Sequence, residues 1–396
     1  MKYVNRRLES EFVSATKAFP AVVLTGPRRV GKTWLLKHLF PKADYVLLED
    51  PDVVTRVRSD PQGFLDGIRL PVILDEIQQT PELFSYIRSR IDRAPNKKGQ
   101  WILTGSQESP LMHGVSESMA GRAAILQFLP ISCMECQNLS VLSGGFPEVL
   151  ARPKDARRWF SSYLQTYLER DVRAVTAVKD LATFRRFMAL VASRHGQLLN
   201  KTDLAAPLGV SVPTIAQWLG ILEVTGQILL VPPFYENLGK RLTKSPKLYV
   251  LDSGLACHLL GIETPQALVS SPFYGALFEG FVGAEIVKEQ INSGWRKELY
   301  FFRDEQGLEV DFLVPRPGGH LAMVECKAGR TVFPEMARPM ERLAQAFETK
   351  RQSGTRVDRY IVYQPSKTQM KTRALSPMVQ AVTADEFVRS LGHKKR

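Results

Sequence analysis

Cysteine is scarce in this chain, with four in 396 residues, as suits a reducing compartment. Cys133 and Cys136 form a C-x-x-C, yet no second C-x-x-C or H-x₃-H completes a zinc set, so a packing role is expected. Cys257 and Cys326 stand alone. Long apolar runs are also missing, none approaching the ~20 residues that span a bilayer. The opening stretch Met1 to Glu9 lacks the apolar core of a signal peptide. These absences predict a cytoplasmic location and no membrane partner. There is no internal repeat and no low-complexity tract. Acidic residues are outnumbered 53 to 40, giving a net charge of +13. Such an excess points to a polyanion, DNA first, although solubility alone also explains basic proteins.

A chain of this length exceeds one core and implies two or three domains. Residues 1–150 read as α/β: strand-like runs at 21–25, 45–48, 70–74 and 101–104 alternate with helical stretches at 33–40 and 81–93. That order implies a parallel sheet. A connector rich in Arg and aromatic residues occupies 151–180, helical over roughly 154–178. Residues 181–252 give a helix near 181–194, a short one from Lys201 to Leu208, and a third capped by Ser211, with Pro213 in its first turn. Two strand-like runs follow, 228–231 and 248–251, around a basic loop. Helix, turn, helix, hairpin is the order of a winged helix-turn-helix. Residues 253–396 open with a helix over 275–291 and continue as strands near 299–303, 308–314, 321–327 and 358–363. They form a second, separate α/β block.

The most specific segment is Gly26-Pro27-Arg28-Arg29-Val30-Gly31-Lys32-Thr33, a full match to G-x-x-x-x-G-K-[ST] between an apolar strand and a helix. Its glycines let backbone N–H groups crowd a phosphate, and the helix N-terminus adds partial positive charge. Lys32 is expected at the β/γ-phosphates and the Thr33 hydroxyl on Mg²⁺, which predicts a nucleoside triphosphate, ATP, as ligand.

Hydrolysis needs a further carboxylate for the metal and a base for water. The run Val72-Ile73-Leu74-Asp75-Glu76 supplies both, with Asp75 suited to the metal's water shell and Glu76 to general base. A further strand, 101–104, leads to Ser106, a polar residue placed to contact the γ-phosphate or the attacking water. Arg122 is the candidate for stabilising transition-state charge, in cis or from a neighbouring subunit. Arg88, Arg90 and Arg93 compete for that role.

The set GPRRVGKT, ILDEI, LTGS, AGR, LPIS and GGFPE, with YLERDV, KLYVLDSGLA, FEGFVGAEI, EVDFLV and VECKAG downstream, resembles prokaryotic AAA+-superfamily ATPases that carry a C-terminal domain of unknown function. The resemblance spans essentially the whole chain. It implies an α/β protein with an N-terminal P-loop AAA+-like parallel sheet, a middle winged helix-turn-helix and a C-terminal PD-(D/E)xK-like α/β domain. It also implies a homo-oligomer, since ring assembly is common in that superfamily. Cys133 departs from the pattern, standing where an aromatic residue is commoner.

Residues 308–327 read as a hairpin that brings Asp311 opposite Glu325, with a one-residue slip as the competing register. Glu325 and Lys327 share a face. Two charges closing a strand apolar on both faces must pair or bind something. Asp311, Glu325 and Lys327 in this order resemble the PD-(D/E)xK nuclease core. There the carboxylates hold Mg²⁺, the lysine positions or activates water, and an upstream helix adds a glutamate: Glu279 first, Glu285 second. An ion-paired structural cluster is the alternative.

In the middle region the presumed recognition helix has no Arg or Lys, leaving Thr214 and Gln217 as base contacts. Lys240, Arg241, Lys244 and Lys247 fall on the wing, where they would meet phosphates without reading sequence. Two functions follow. One is an ATP-hydrolysing protein acting on structured DNA. The other is an ATP-gated switch for a protein partner, with a catalytically inactive nuclease-like domain.

Overall fold

The computed structural model describes residues 4–105, 119–167, 181–234, 244–350, 356–365, 374–376 and 378–392. Five strands, β1 (Ala21–Thr25), β2 (Asp44–Leu47), β3 (Val72–Asp75), β4 (Trp101–Thr104) and β5 (Ala123–Gln127), form one parallel sheet in the order β2-β3-β4-β1-β5. Both faces of this sheet are covered, which explains strands that are apolar throughout. The period of two sorts them. Ala21, Val23, Leu74 and Leu103 enter one core, and Val22, Leu24, Ile73 and Ile102 enter the other. Because every strand runs the same way, Thr25, Asp75 and Thr104 come out on one edge. In open α/β sheets that edge is where ligands bind.

Helices Pro147–Ala151 and Ala156–Tyr167 occupy the start of the connector, and positions 168–178 lie outside the described residues. Helices Leu181–Ser193, Lys201–Ala205 and Val212–Val224 lead into a small antiparallel sheet. It comprises β6 (Gln197–Leu198), β7 (Ile228–Val231) and β8 (Lys247–Val250), in the order β6-β8-β7. Ser211 caps the third helix by accepting from the Thr214 N–H at 3.2 Å.

The last region opens with the helix Ser253–Leu259 and a long helix, Tyr274–Asn292. A six-stranded mixed sheet follows: β9 (Tyr300–Arg303), β10 (Glu309–Arg316), β11 (His320–Lys327), β12 (Val357–Tyr363), β13 (Ala374–Ser376) and β14 (Val379–Val382), ordered β13-β14-β12-β11-β10-β9. In the β10–β11 hairpin Phe312 pairs with Val324, and one further step sets Asp311 opposite Glu325. The β9–β10 register shifts between Val310 and Leu313, a bulge that brackets Asp311 and re-aims it. The long helix approaches closely because two glycines face its neighbours. A Cβ at Gly283 would stand 2.7 Å from the Phe312 ring, and one at Gly280 would stand 2.0 Å from His195 Nε2.

The three regions are not insulated from one another. A single apolar core joins Val22 and Phe128 to Phe146, Phe187, Leu222, Phe278 and Phe312. Asp252 pins the joint: it accepts from Leu255 N at 2.9 Å as a helix cap and from Gly145 N at 2.7 Å. Among the described residues no single helix is long and apolar enough to cross a membrane.

Candidate functional site

The loop between β1 and the helix Lys32–Leu39 follows backbone that most side chains resist. Gly26 has φ 139° and Gly31 φ 94°. A Cβ at Gly26 would strike the Phe128 carbonyl at 2.1 Å, whereas Gly31 faces open space. Gly31 is also the helix N-cap and brings no side chain to it, so the first N–H groups of the helix have no side-chain cap. The Lys32 ammonium, 7% exposed, donates to the carbonyls of Gly26 at 2.9 Å and Pro27 at 3.0 Å. Arg28, Arg29, Val30, Gly31, Lys32 and Thr33 line a cavity of about 580 Å³ with Glu76, Trp34 and Glu148.

At the end of β3, Asp75 is 3% exposed and collects three hydroxyls. Thr33 donates to its Oδ2 at 2.7 Å, Tyr45 to the same oxygen at 2.8 Å, and Thr104 to Oδ1. Burial and the bond to Asp75 hold the Tyr45 phenol well above its usual pKa. A hydroxyl and a carboxylate oxygen meeting beside a phosphate-binding loop fit the hard-oxygen demands of Mg²⁺. Glu76 follows in left-handed backbone, φ 60°, where it accepts from the Gln78 amide and lies 3.8 Å from Arg28 Nη1.

Two further participants were expected, Ser106 and Arg122. Ser106 lies outside the described residues, and Thr104 makes the contact to Asp75 from the neighbouring strand. Arg122 cannot serve its own loop. It precedes Ala123, which pairs with Ala21 at the opposite end of the sheet from Thr25, and it is tied to Asp92 at 2.6 and 3.1 Å. Action in cis is therefore corrected. Arg90 is likewise engaged, with Asp66 at 2.7 Å.

Sequence reading missed Arg6. Its side chain, 6% exposed, donates to the Val30 carbonyl at 3.1 Å, to Leu129 O at 2.6 Å and to Glu135 at 3.1 Å, and it lies over the Phe128 ring. Glu135 also accepts from Arg7 N and Ser132 N. From the other side the long helix grips the same segment. Glu285 accepts from Cys133 N at 2.6 Å, and Lys288 donates to Ile131 O at 3.1 Å and to Glu285 at 2.7 Å. Arg7 pairs with Glu289 at 2.6 Å. Nothing in the spacing of Arg6 announces this. The segment Ile131–Cys136 is thus the joint between the phosphate loop and the last region, and Cys133 packs there with its thiol pushed up by burial and Glu285.

A second cluster forms where the hairpin meets the long helix. Glu279, Asp311, Glu325 and Lys327 come together, and Glu285 does not, being held at Cys133. Lys327 donates to Glu325 Oε1 at 2.7 Å, and Asp311 Oδ2 accepts from Cys326 N at 2.8 Å. Burial, then the neighbouring Asp311, push Glu279 up to about 7 and Glu325 up to about 8.

Lys247 is a correction. Instead of standing on a wing it is 2% exposed on β8. Its ammonium is 2.9 Å from Glu279, 2.5 Å from Glu309 and 3.8 Å from Asp311. Tyr249, also on β8, donates to Glu279. A charge heading the apolar run 248–251 was the available signal: a lysine there must be paired. The Mg²⁺ expected at Asp311 and Glu325 would have to share those carboxylates with two ammoniums, Lys247 at 3.8 Å from Asp311 and Lys327 at 2.7 Å from Glu325. Of the other expected contacts, Gln217 and Lys244 are exposed, the Thr214 hydroxyl is paired with Ser211 at 2.8 Å, and Lys240 and Arg241 lie outside the described residues.

Three family models match successive parts of the chain: an AAA domain over residues 18–137, a domain of unknown function (DUF8612) over 137–266, and another (DUF4143) over 274–383. Two mycobacterial proteins, uncharacterized protein Mb2031c of Mycobacterium bovis and uncharacterized protein Rv2008c of Mycobacterium tuberculosis, are each 33% identical over 329 residues, covering 81% of this chain and 73% of theirs. Among solved structures, the Walker-type ATPase paby2304 of Pyrococcus abyssi shares 16% identity, covering 64% of this chain and 94% of that one, with a TM-score of 0.43. A RuvB variant of Thermotoga maritima shares 17%, covering 58% and 90%, with a TM-score of 0.33. Both likenesses are too distant to carry an argument. The chain belongs to the family of these mycobacterial proteins, and its N-terminal domain is an AAA-type P-loop ATPase domain.

Proposed function

We propose that this protein is an ATP-hydrolysing switch whose nucleotide state is read by the C-terminal region. The observation that carries the proposal is the path from the Val30 carbonyl through Arg6 and Glu135 to Glu285 and Lys288 on the long helix.

In hydrolysis Lys32 leaves the carbonyls of Gly26 and Pro27 for the β/γ-phosphates, while loop N–H groups hold the β-phosphate. Thr33 and Asp75 are the residues that hold Mg²⁺, which supplies charge neutralisation on the phosphate oxygens when bound. Glu76 takes a proton from water as it attacks the γ-phosphorus. The bond to ADP breaks, leaving ADP and phosphate. As Lys32 returns to its carbonyls the loop resettles, and Arg6 carries that movement to Glu135.

The middle region is proposed to be a winged helix and the last a PD-(D/E)xK-like fold that is catalytically silent. A homo-oligomer belongs to the same proposal, because Arg122 can reach an ATP only across a subunit boundary. DNA remains the second reading for the partner, favoured by the net charge of +13. Its signature is binding that weakens steeply with salt, with a slope flattened by alanine at Lys240, Arg241 and Lys244.

Hydrogen exchange tests the switch. A non-hydrolysable ATP analogue should alter protection across 131–136 and 285–289 in the wild type. In Arg6→Ala it should leave 285–289 unchanged although the analogue still binds. An identical response in both proteins sinks the proposal.

A further inference from the structure

Four carboxylates, Glu279, Glu309, Asp311 and Glu325, share one site with two lysines, Lys247 and Lys327. Lys327 serves Glu325. Lys247 comes from outside the region, from β8 of the small middle sheet, and its ammonium reaches three of the four. The position is built rather than incidental. Lys247 is 2% exposed, the Phe301 ring stands 5.5 Å from its ammonium, and Arg303 closes the outer side by pairing with Glu309 at 3.4 Å. One group is left over: Glu325 Oε2 is buried with no hydrogen-bond partner, in a residue only 7% exposed. An orphaned carboxylate oxygen facing other carboxylates is what a cation would satisfy.

We propose that Lys247 is the resident cation of this cluster, holding the place a divalent metal would take and keeping the site metal-free. The charge arithmetic favours one occupant. With Lys247 present, a divalent ion would meet an ammonium within contact distance of the same oxygens; without it, the carboxylates have lost their main counter-charge. The inference concerns residues remote from the phosphate loop and stands whether or not ATP is hydrolysed.

The test is Mn²⁺ binding to the full-length protein without nucleotide, followed by calorimetry. Wild type and Asp311→Asn should behave alike, because the cluster takes no metal in either. Lys247→Met should gain one Mn²⁺ bound at least ~10-fold more tightly than any the wild type binds. Lys247→Met with Asp311→Asn should lose it again. Should Lys247→Met not fold, the charge-balanced pair Lys247→Met with Glu309→Gln makes the same comparison. A wild-type Mn²⁺ site abolished by Asp311→Asn overturns the proposal, as does a folded Lys247 variant that gains no metal.

Discussion

Arg6 donates to the carbonyl of Val30 at 3.1 Å, so a residue from the start of the chain holds the middle of the phosphate loop. The same guanidinium meets Glu135, and neither side chain is more than 6% exposed. Removing one partner of such a buried pair leaves the other uncompensated. Arg6→Ala is expected to cost about 3–5 kcal/mol, and Glu135→Gln, which keeps an acceptor, distinctly less. Urea unfolding of the two variants checks the ranking.

Lys32→Ala should bring ATP turnover to background. Glu76→Gln should slow it by about 10²–10⁴-fold while ATP still binds, since only water activation is lost. Single-turnover rates and a binding titration separate the two effects. Normal turnover in Lys32→Ala would remove the loop from the reaction.

Arg122→Ala is expected to lose turnover only through a neighbouring subunit. A mixture of Arg122→Ala and Lys32→Ala, each inactive alone, should then recover activity, because one interface pairs an intact loop with an intact arginine. Full activity in Arg122→Ala would leave the residue with its Asp92 pairing alone.

The pH dependence of Glu325 has a definite sign. Burial, then Asp311, raise its pKa from the ordinary carboxyl range to about 8. The folded state therefore binds a proton that the unfolded chain has released, and stability falls as pH rises through roughly 4.5 to 8. Glu325→Gln mimics the protonated form. It should raise Tm more at pH 8.5 than at pH 5.5, by ~2–4 °C for each kcal/mol relieved. Thermal melts at the two pH values decide it.

The phosphate loop and the acidic pair at the end of β3 were legible because their chemistry is local: spacing and flanking apolar runs suffice. The hairpin register was legible only in part: folding about the loop centre set Asp311 opposite Glu325 but left a one-residue slip open, which the pairing of Phe312 with Val324 resolves. What escaped was carried by distance in the chain. Arg6 and Val30 are 24 residues apart, Cys133 and Glu285 are 152 apart, and nothing in either neighbourhood names its partner. Lys247 was misread for a different reason. Its neighbours Lys240, Arg241 and Lys244 suggested one solvated basic loop, while β8, which it begins, is buried along its whole length.

Asp252 caps one helix and ties down Gly145 with the same carboxylate, and Gly144 beside it leaves no room for a side chain. A cut near residue 150 would therefore part the Gly145 loop from its anchor, since Asp252 stays with the helix it caps on the other fragment. The ATPase domain of this chain is better pictured as a keystone than as a bead on a string. Fragments ending there should be recovered aggregated, and a graft of the domain onto another protein would have to bring Asp252 along.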